Sequence, residues 1–124
     1  MKNKNNFKCF SVSSLKQSLS IIKICKIKDI NPIFFIDFYI IDRFGIDWLI
    51  EYRSLLKKQL KKNQFKIYVN CNKNYGLFIS LVKHNFDYLQ IKGDKETLFR
   101  LKDIANKNKI TVNPKFDVIE SEKI

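Results

Sequence analysis

The chain has 124 residues, 45% hydrophobic and 14% aromatic, which suits one folded domain with one core and excludes an intrinsically disordered segment. The formal net charge is +12, yet 21 of the 24 basic residues are Lys and only Arg43, Arg53 and Arg100 are Arg. With 18 Ile, 12 Asn and a single Ala, this is the profile of an AT-rich genome, so the charge reads as codon bias and argues against specific nucleic-acid recognition, which leans on Arg.

Residues 1–6 read as a charged, flexible tail. Phe7–Val12 has strand character, and the stripe Leu15, Leu19, Ile22 behind Ser13 and Ser14 predicts a capped helix. The Ile-Asn-Pro stretch ends that helix, because the residue before Pro32 is pushed out of the helical region. "IFFIDFYII", Ile33–Ile41, predicts a strand over 33–40 on its β-branched and aromatic content. Asp47 then caps a helix, "WLIEYRSLLKKQLKK", with Leu49, Tyr52, Leu56 and Leu60 inward and lysines gathered at its carboxyl end, where the dipole favours them.

A strand over Phe65–Asn70 follows, then a helix from about Asn74 to His84, then a strand over Tyr88–Lys92. Gly93-Asp94 opens a helix with Leu98, Leu101, Ile104 and Ala105 inward, and a short strand at 110–112 closes the series. Residues 115–124 read as a second charged tail. The expected fold is therefore α/β: a single domain over 7–114, with about five short parallel strands alternating with four helices. It takes the form of half of a strand–helix barrel or a compact flavodoxin-like sheet.

One strand parity is apolar throughout: Phe34, Ile36, Phe38, Ile40, then Phe65, Ile67, Val69, then Leu89 and Ile91. The other carries Asp37, Tyr39, Lys66, Tyr68, Asn70, Tyr88, Gln90 and Lys92. A sheet covered by helices on both faces is apolar on both, so this split predicts one helical layer and one face left semi-polar.

The order of a Ser-Leu helix, a strong strand, a Trp-containing helix, "VNCNKNYGLFISLVKHNFDYLQIKG" and "LKDIANK" resembles short uncharacterised strand–helix proteins of alphaproteobacteria, from about Phe7 to Pro114. Asn70 and Asn72 stand where that resemblance would place acids, and Lys73 departs as well, so no carboxylate role carries over. The resemblance implies the fold and no established activity.

In parallel α/β folds ligands meet the carboxyl ends of the strands. Asp37, Asn70, Asn72, Lys92 and Asp94 gather at that edge, where a phosphate or other small anion could meet helix N-termini with Lys92 as counter-charge. The competing reading makes Asp94 and Asn74 helix caps, with Asn70 and Asn72 serving turn amides. No catalytic set emerges from a single histidine, His84, and no metal or cofactor motif is present in the sequence. Cys9, Cys25 and Cys71 have no CxxC pairing and read as reduced, packed thiols of a cytoplasmic protein, Cys71 included. The longest apolar run is nine residues with an acid inside it, against the ~20 needed to cross a bilayer. The leading expectation is a non-catalytic domain that self-associates, as a homodimer, or binds a ligand through its mixed polar–aromatic sheet face. Its rivals are a phosphate-binding half-barrel enzyme and a weak, salt-sensitive nucleic-acid binder.

Overall fold

A computed structural model describes residues 6–120, the Lys62 side chain excepted. The expectation of flexible ends at 1–5 and 121–124 lies outside the described residues. In chain order the elements are β1 (Phe7–Ser11), α1 (Leu15–Lys28), β2 (Asn31–Ile36), α2 (Phe38–Phe44) and α3 (Ile46–Lys57). A 3₁₀ turn at Lys62–Gln64 leads to β3 (Lys66–Asn70), α4 (Tyr75–Lys83), β4 (Tyr88–Gln90), α5 (Lys95–Lys107), β5 (Thr111–Val112) and β6 (Val118–Glu120).

The class is α/β with one all-parallel, six-stranded sheet in the order β5-β4-β3-β2-β1-β6. From β1 to β5 each strand lies beside the next in sequence, so every helical crossover moves the same way. With one crossover hand, all the helices must land on one face. They do: α1 to α5 pack Ile21, Ile22, Ile40, Leu49, Leu56, Phe78, Leu81, Leu101 and Ala105 into a single core with Phe10, Phe34, Ile36, Ile67, Val69 and Leu89 of the sheet. The opposite parity forms a separate cluster that no helix joins: Cys9, Ile33 and Tyr68 buried, with Phe7, Phe35 and Tyr88 around them. Within the helical core, the Tyr52 hydroxyl lies 2.6 Å from the Ser18 hydroxyl, which satisfies both buried groups where α3 crosses α1.

Several expected boundaries shift: β4 stops at Gln90 instead of Lys92 and α3 at Lys57 instead of Lys62, and two further shifts change the fold. The strand expected at 33–40 ends at Ile36, because Asp37 caps a new helix: its Oδ1 accepts from the Phe38 amide at 2.8 Å. That makes five helices, not four. A short apolar run suits a buried helix as well as a strand, and Ile40 and Ile41 here turn inward on α2. Asp37 and Tyr39 therefore leave the semi-polar sheet face on which the alternation places them; Tyr39 is exposed. The cap expected at Asp47 falls at Gly45, whose φ of 86° and ψ of 170° no side chain occupies comfortably, with Asp47 in the first turn of α3.

The second shift is at the C-terminal end. Within the expected tail 115–124, Val118–Glu120 forms β6 and pairs with β1, Cys9 opposite Val118. Asn6, in the other expected tail, donates its side-chain amide to the Asp29 carbonyl at 3.0 Å and accepts the Asn31 amide on its own carbonyl at 2.8 Å.

β5 and β6 lie at opposite edges of the sheet, five interstrand gaps apart. A return crossover of the same hand must then run across the face that the helices leave bare. Residues 113–117 do this, with Phe116 seated on Tyr68 and Tyr88. Six Cα steps from Val112 to Val118 reach at most roughly 22 Å, whereas five gaps along a flat sheet measure roughly 24 Å. The sheet must therefore curl, and the strap crosses the hollow side as a chord. The result is half a strand–helix barrel with its own C-terminal segment laid through the opening.

Candidate functional site

Two surfaces meet the sequence expectations: the rim at the carboxyl ends of the strands, and the strapped sheet face. At the rim, Asp37 follows the last residue of β2 and Asn70 ends β3, and the structure joins them. Asn70 Nδ2 donates to Asp37 Oδ1 at 2.9 Å, while Asn70 Oδ1 accepts the Asn72 amide at 2.9 Å. Asn72 stands in the left-handed region, φ 54°, a conformation that Asn tolerates better than most residues. Its carbonyl accepts the Lys92 amide at 2.8 Å. Asp37, Asn70 and Asn72 thus form one connected chain across two strands, and Lys92 joins it through its backbone, leaving its side chain exposed.

Asp94 stands apart from that chain. It is the N-cap of α5, accepting from the Thr97 amide at 2.8 Å and the Thr97 hydroxyl at 3.1 Å. The hydrogen bonds from the Thr97 amide and hydroxyl hold its carboxyl below the usual range. Asn74 caps α4 in the same manner, accepting from Leu77 at 2.9 Å. The rim carboxylates and amides are thus engaged in capping and turn geometry.

Three residues, two of them at the rim, gain roles that the sequence does not signal. Asn113 acts as a two-pronged clamp on Ile91, its Oδ1 accepting the Ile91 amide at 2.8 Å and its Nδ2 donating to the Ile91 carbonyl at 3.1 Å. It prolongs the β4–β5 ladder after β5 has ended. Asp87, at the opposite end of the sheet, accepts the Ile67 amide at 2.9 Å and stands 3.8 Å from Lys66 Nζ. Tyr75 lies over Gly93, so that a Cβ there would meet its hydroxyl at 2.7 Å unless the partly exposed ring swung aside.

No protein-family model matches the chain, and no curated protein sequence matches it either.

On the strapped face, β2, β3 and β4 align Phe35, Tyr68 and Tyr88 side by side. Phe35 and Tyr68 meet edge to face at 5.0 Å between centroids, Tyr68 and Tyr88 at 6.3 Å. Phe116 closes the set, 5.8 Å from Tyr68 and 5.2 Å from Tyr88. Such pairs each add about 0.5–1.5 kcal/mol beyond the area they bury. The Tyr68 hydroxyl donates to the Pro114 carbonyl at 3.2 Å, and burial pushes its pKa up to about 12. Burial acts on Tyr88 in the same direction. A cavity of about 310 Å³ lies between α2 and α4 on the helical side, and one of about 360 Å³ lies between the strap and β1, lined by Phe7, Cys9, Phe116 and Ile119.

Reactive chemistry finds little footing. All three thiols are buried, and desolvation pushes Cys9 and Cys71 up to about 12 and Cys25 to about 11, the opposite of what a thiolate nucleophile needs. His84 ends α4 at the surface, and its carbonyl accepts from Arg53 Nη1 at 2.7 Å, which fixes Arg53 over the Phe86 ring. Among the described residues no three metal-ligating side chains converge. Among them also, no helix is long and apolar enough to cross a membrane.

Proposed function

We propose that the protein is a non-catalytic domain that works by association with a second copy of itself, through the strapped face of the sheet. One observation carries this reading. The helices seal one sheet face completely, while the aromatic row Phe35, Tyr68, Tyr88 on the other is covered by a strap of only five residues, 113–117. An aromatic platform in a hollow is the kind of surface that partners seek, and a full helical layer would have hidden it. The engagement of the rim carboxylates and amides in caps and turns supports a binding role over a catalytic one.

Light scattering coupled to size exclusion tests the reading. A dimer is expected to grow in as concentration rises through about 10–100 µM, the range in which modest interfaces form. Tyr88→Lys, which places a charge in the aromatic row, is expected to abolish it. The rival reading, a small anion at the rim, draws on the exposed Lys92, which precedes Gly93 and the N-cap of α5. It requires inorganic phosphate to raise the melting temperature, with the rise lost in Lys92→Ala.

A further inference from the structure

We propose that the dimer forms by exchange: each copy releases its C-terminal segment Pro114–Glu120 and lays it across the aromatic sheet face of the other. This deepens the self-association reading and rests on it.

The hinge comes first. Asn113 has φ 51°, in the left-handed region, and stands directly before Pro114. A residue before proline is steered by the pyrrolidine ring toward extended backbone, so the turn at 113 opposes its own local preference. It is held by tertiary contacts: the Asn113 side chain grips both the amide and the carbonyl of Ile91, and its amide donates to the Leu89 carbonyl at 2.8 Å. If residue 113 relaxes to the extended form that Pro114 favours, the chain continues along the line of β5. It then leaves its own sheet instead of turning back over it. A short hinge under strain is the local condition that favours exchange.

The strap itself holds lightly. Lys115, Asp117 and Glu120 are exposed, and Phe116 and Val118 remain 36% and 40% exposed where they sit. Its attachments are one hydrogen bond from Tyr68, two ring contacts of Phe116, a three-residue ladder to β1 and the packing of half-buried Ile119 against the main core. A segment with so few buried contacts is among the first to open. The surface it leaves is costly to bare: Cys9, Ile33 and Tyr68 are 2%, 1% and 4% exposed beneath the strap and its neighbours, and the outer edge of β1 loses its partner strand.

A second copy supplies the missing piece. Its strap has the same sequence, so each of these contacts can be remade between chains with both hinges relaxed. Against this stands the high effective concentration of a chain's own strap, which keeps dilute protein closed on itself. The exchange is therefore concentration-dependent and slow to reverse, and it consumes the aromatic face and the β1 edge together.

Two experiments on the full chain decide it. In the first, both chains carry Cys9→Ser, because Cys9 lines the same cavity as Phe116. A Tyr88→Cys chain is mixed at about 100 µM with a Phe116→Cys chain that carries a mass tag, then oxidised, and non-reducing gels are read for the mixed species. The rings of 88 and 116 are 5.2 Å apart within one strap–face contact, so a disulfide between the two chains reports a strap seated on a foreign face. In the second, four Gly/Ser residues are inserted between Pro114 and Lys115, leaving the aromatic contacts intact. The freed hinge lets each strap fold back, and the dimer fraction is expected to fall at least about tenfold. A mixed disulfide with loss of dimer on insertion establishes exchange. A dimer that forms without the mixed disulfide, or that survives the longer hinge unchanged, overturns exchange while self-association stands. A monomer at about 100 µM overturns both.

Discussion

Single residues set the turning points of this fold, and their backbone angles show it. Gly45, between α2 and α3, adopts φ 86° and ψ 170°, a region that glycine alone enters freely, and a Cβ there would meet nothing within 4 Å. The cost of substitution is then purely conformational. Gly45→Ala is expected to destabilise the protein by about 1–3 kcal/mol, read as a lower midpoint in urea with an unchanged slope. Asp94 offers a pH signature at the same scale. The Thr97 hydrogen bonds depress its folded pKa, so its contribution is in place above the ordinary carboxyl range and fades as pH falls through the lowered value. The stability difference between the native chain and Asp94→Asn is expected to shrink on acidification from pH 6 to about pH 3, measured by thermal melts across that range. Caps of this kind were legible in advance: Asp94 before a helical stripe and Ser14 before Leu15 follow from composition and spacing, and both accept the expected amide. Gly45 and Asn113 were not, because a positive φ is a property of the turn, which several residue types can fill.

Elements end where a tertiary contact rewards ending them. The run Ile33–Ile41 has strand composition throughout, yet it breaks at Asp37, where one carboxylate oxygen serves both the Phe38 amide and the Asn70 side chain. That double duty couples the start of α2 to the end of β3. Asp37→Ala removes a cap and strands the Asn70 amide, with an expected loss of about 1–3 kcal/mol in denaturant unfolding; Asp37→Asn, which keeps an acceptor, is expected to lose less. The strand faces, by contrast, were readable from period-two alternation alone. Ile67, Val69 and Leu89 face the helices, whereas Tyr68 and Tyr88 turn away from them, as the parity requires. The positions that failed, Asp37, Phe38, Tyr39 and Ile40 after β2 and Lys92 after β4, belonged to residues that were not strand. β6 escaped notice because "VIE" lies in a charged stretch, and its pairing with Cys9, Phe10 and Ser11 spans more than a hundred residues of sequence.

At the scale of the molecule, the two cores differ in what holds them. Cys25 and Cys71 lie in the helical core, whereas Cys9 lies beneath the strap. All three thiols are pushed up by burial, so a thiol reagent at neutral pH must wait for opening. Cys9 is expected to be labelled faster than the other two, followed by mass spectrometry of quenched peptides; equal rates would mean that the strap lets go only when the whole domain unfolds. What the sequence by itself determined is the alternation of strand and helix and the apolar parity that demands a one-sided helical layer. Those features live in periodicities of two and 3.6 residues, which neighbours along the chain impose. Only the tertiary structure decided where β2 stops, that the strands run in consecutive order, and that the bare face is crossed by the chain's own end. Each of these depends on a meeting of distant residues, Asp37 with Asn70, Asn113 with Ile91, Phe116 with Tyr88, and no local pattern carries information about a partner that far away.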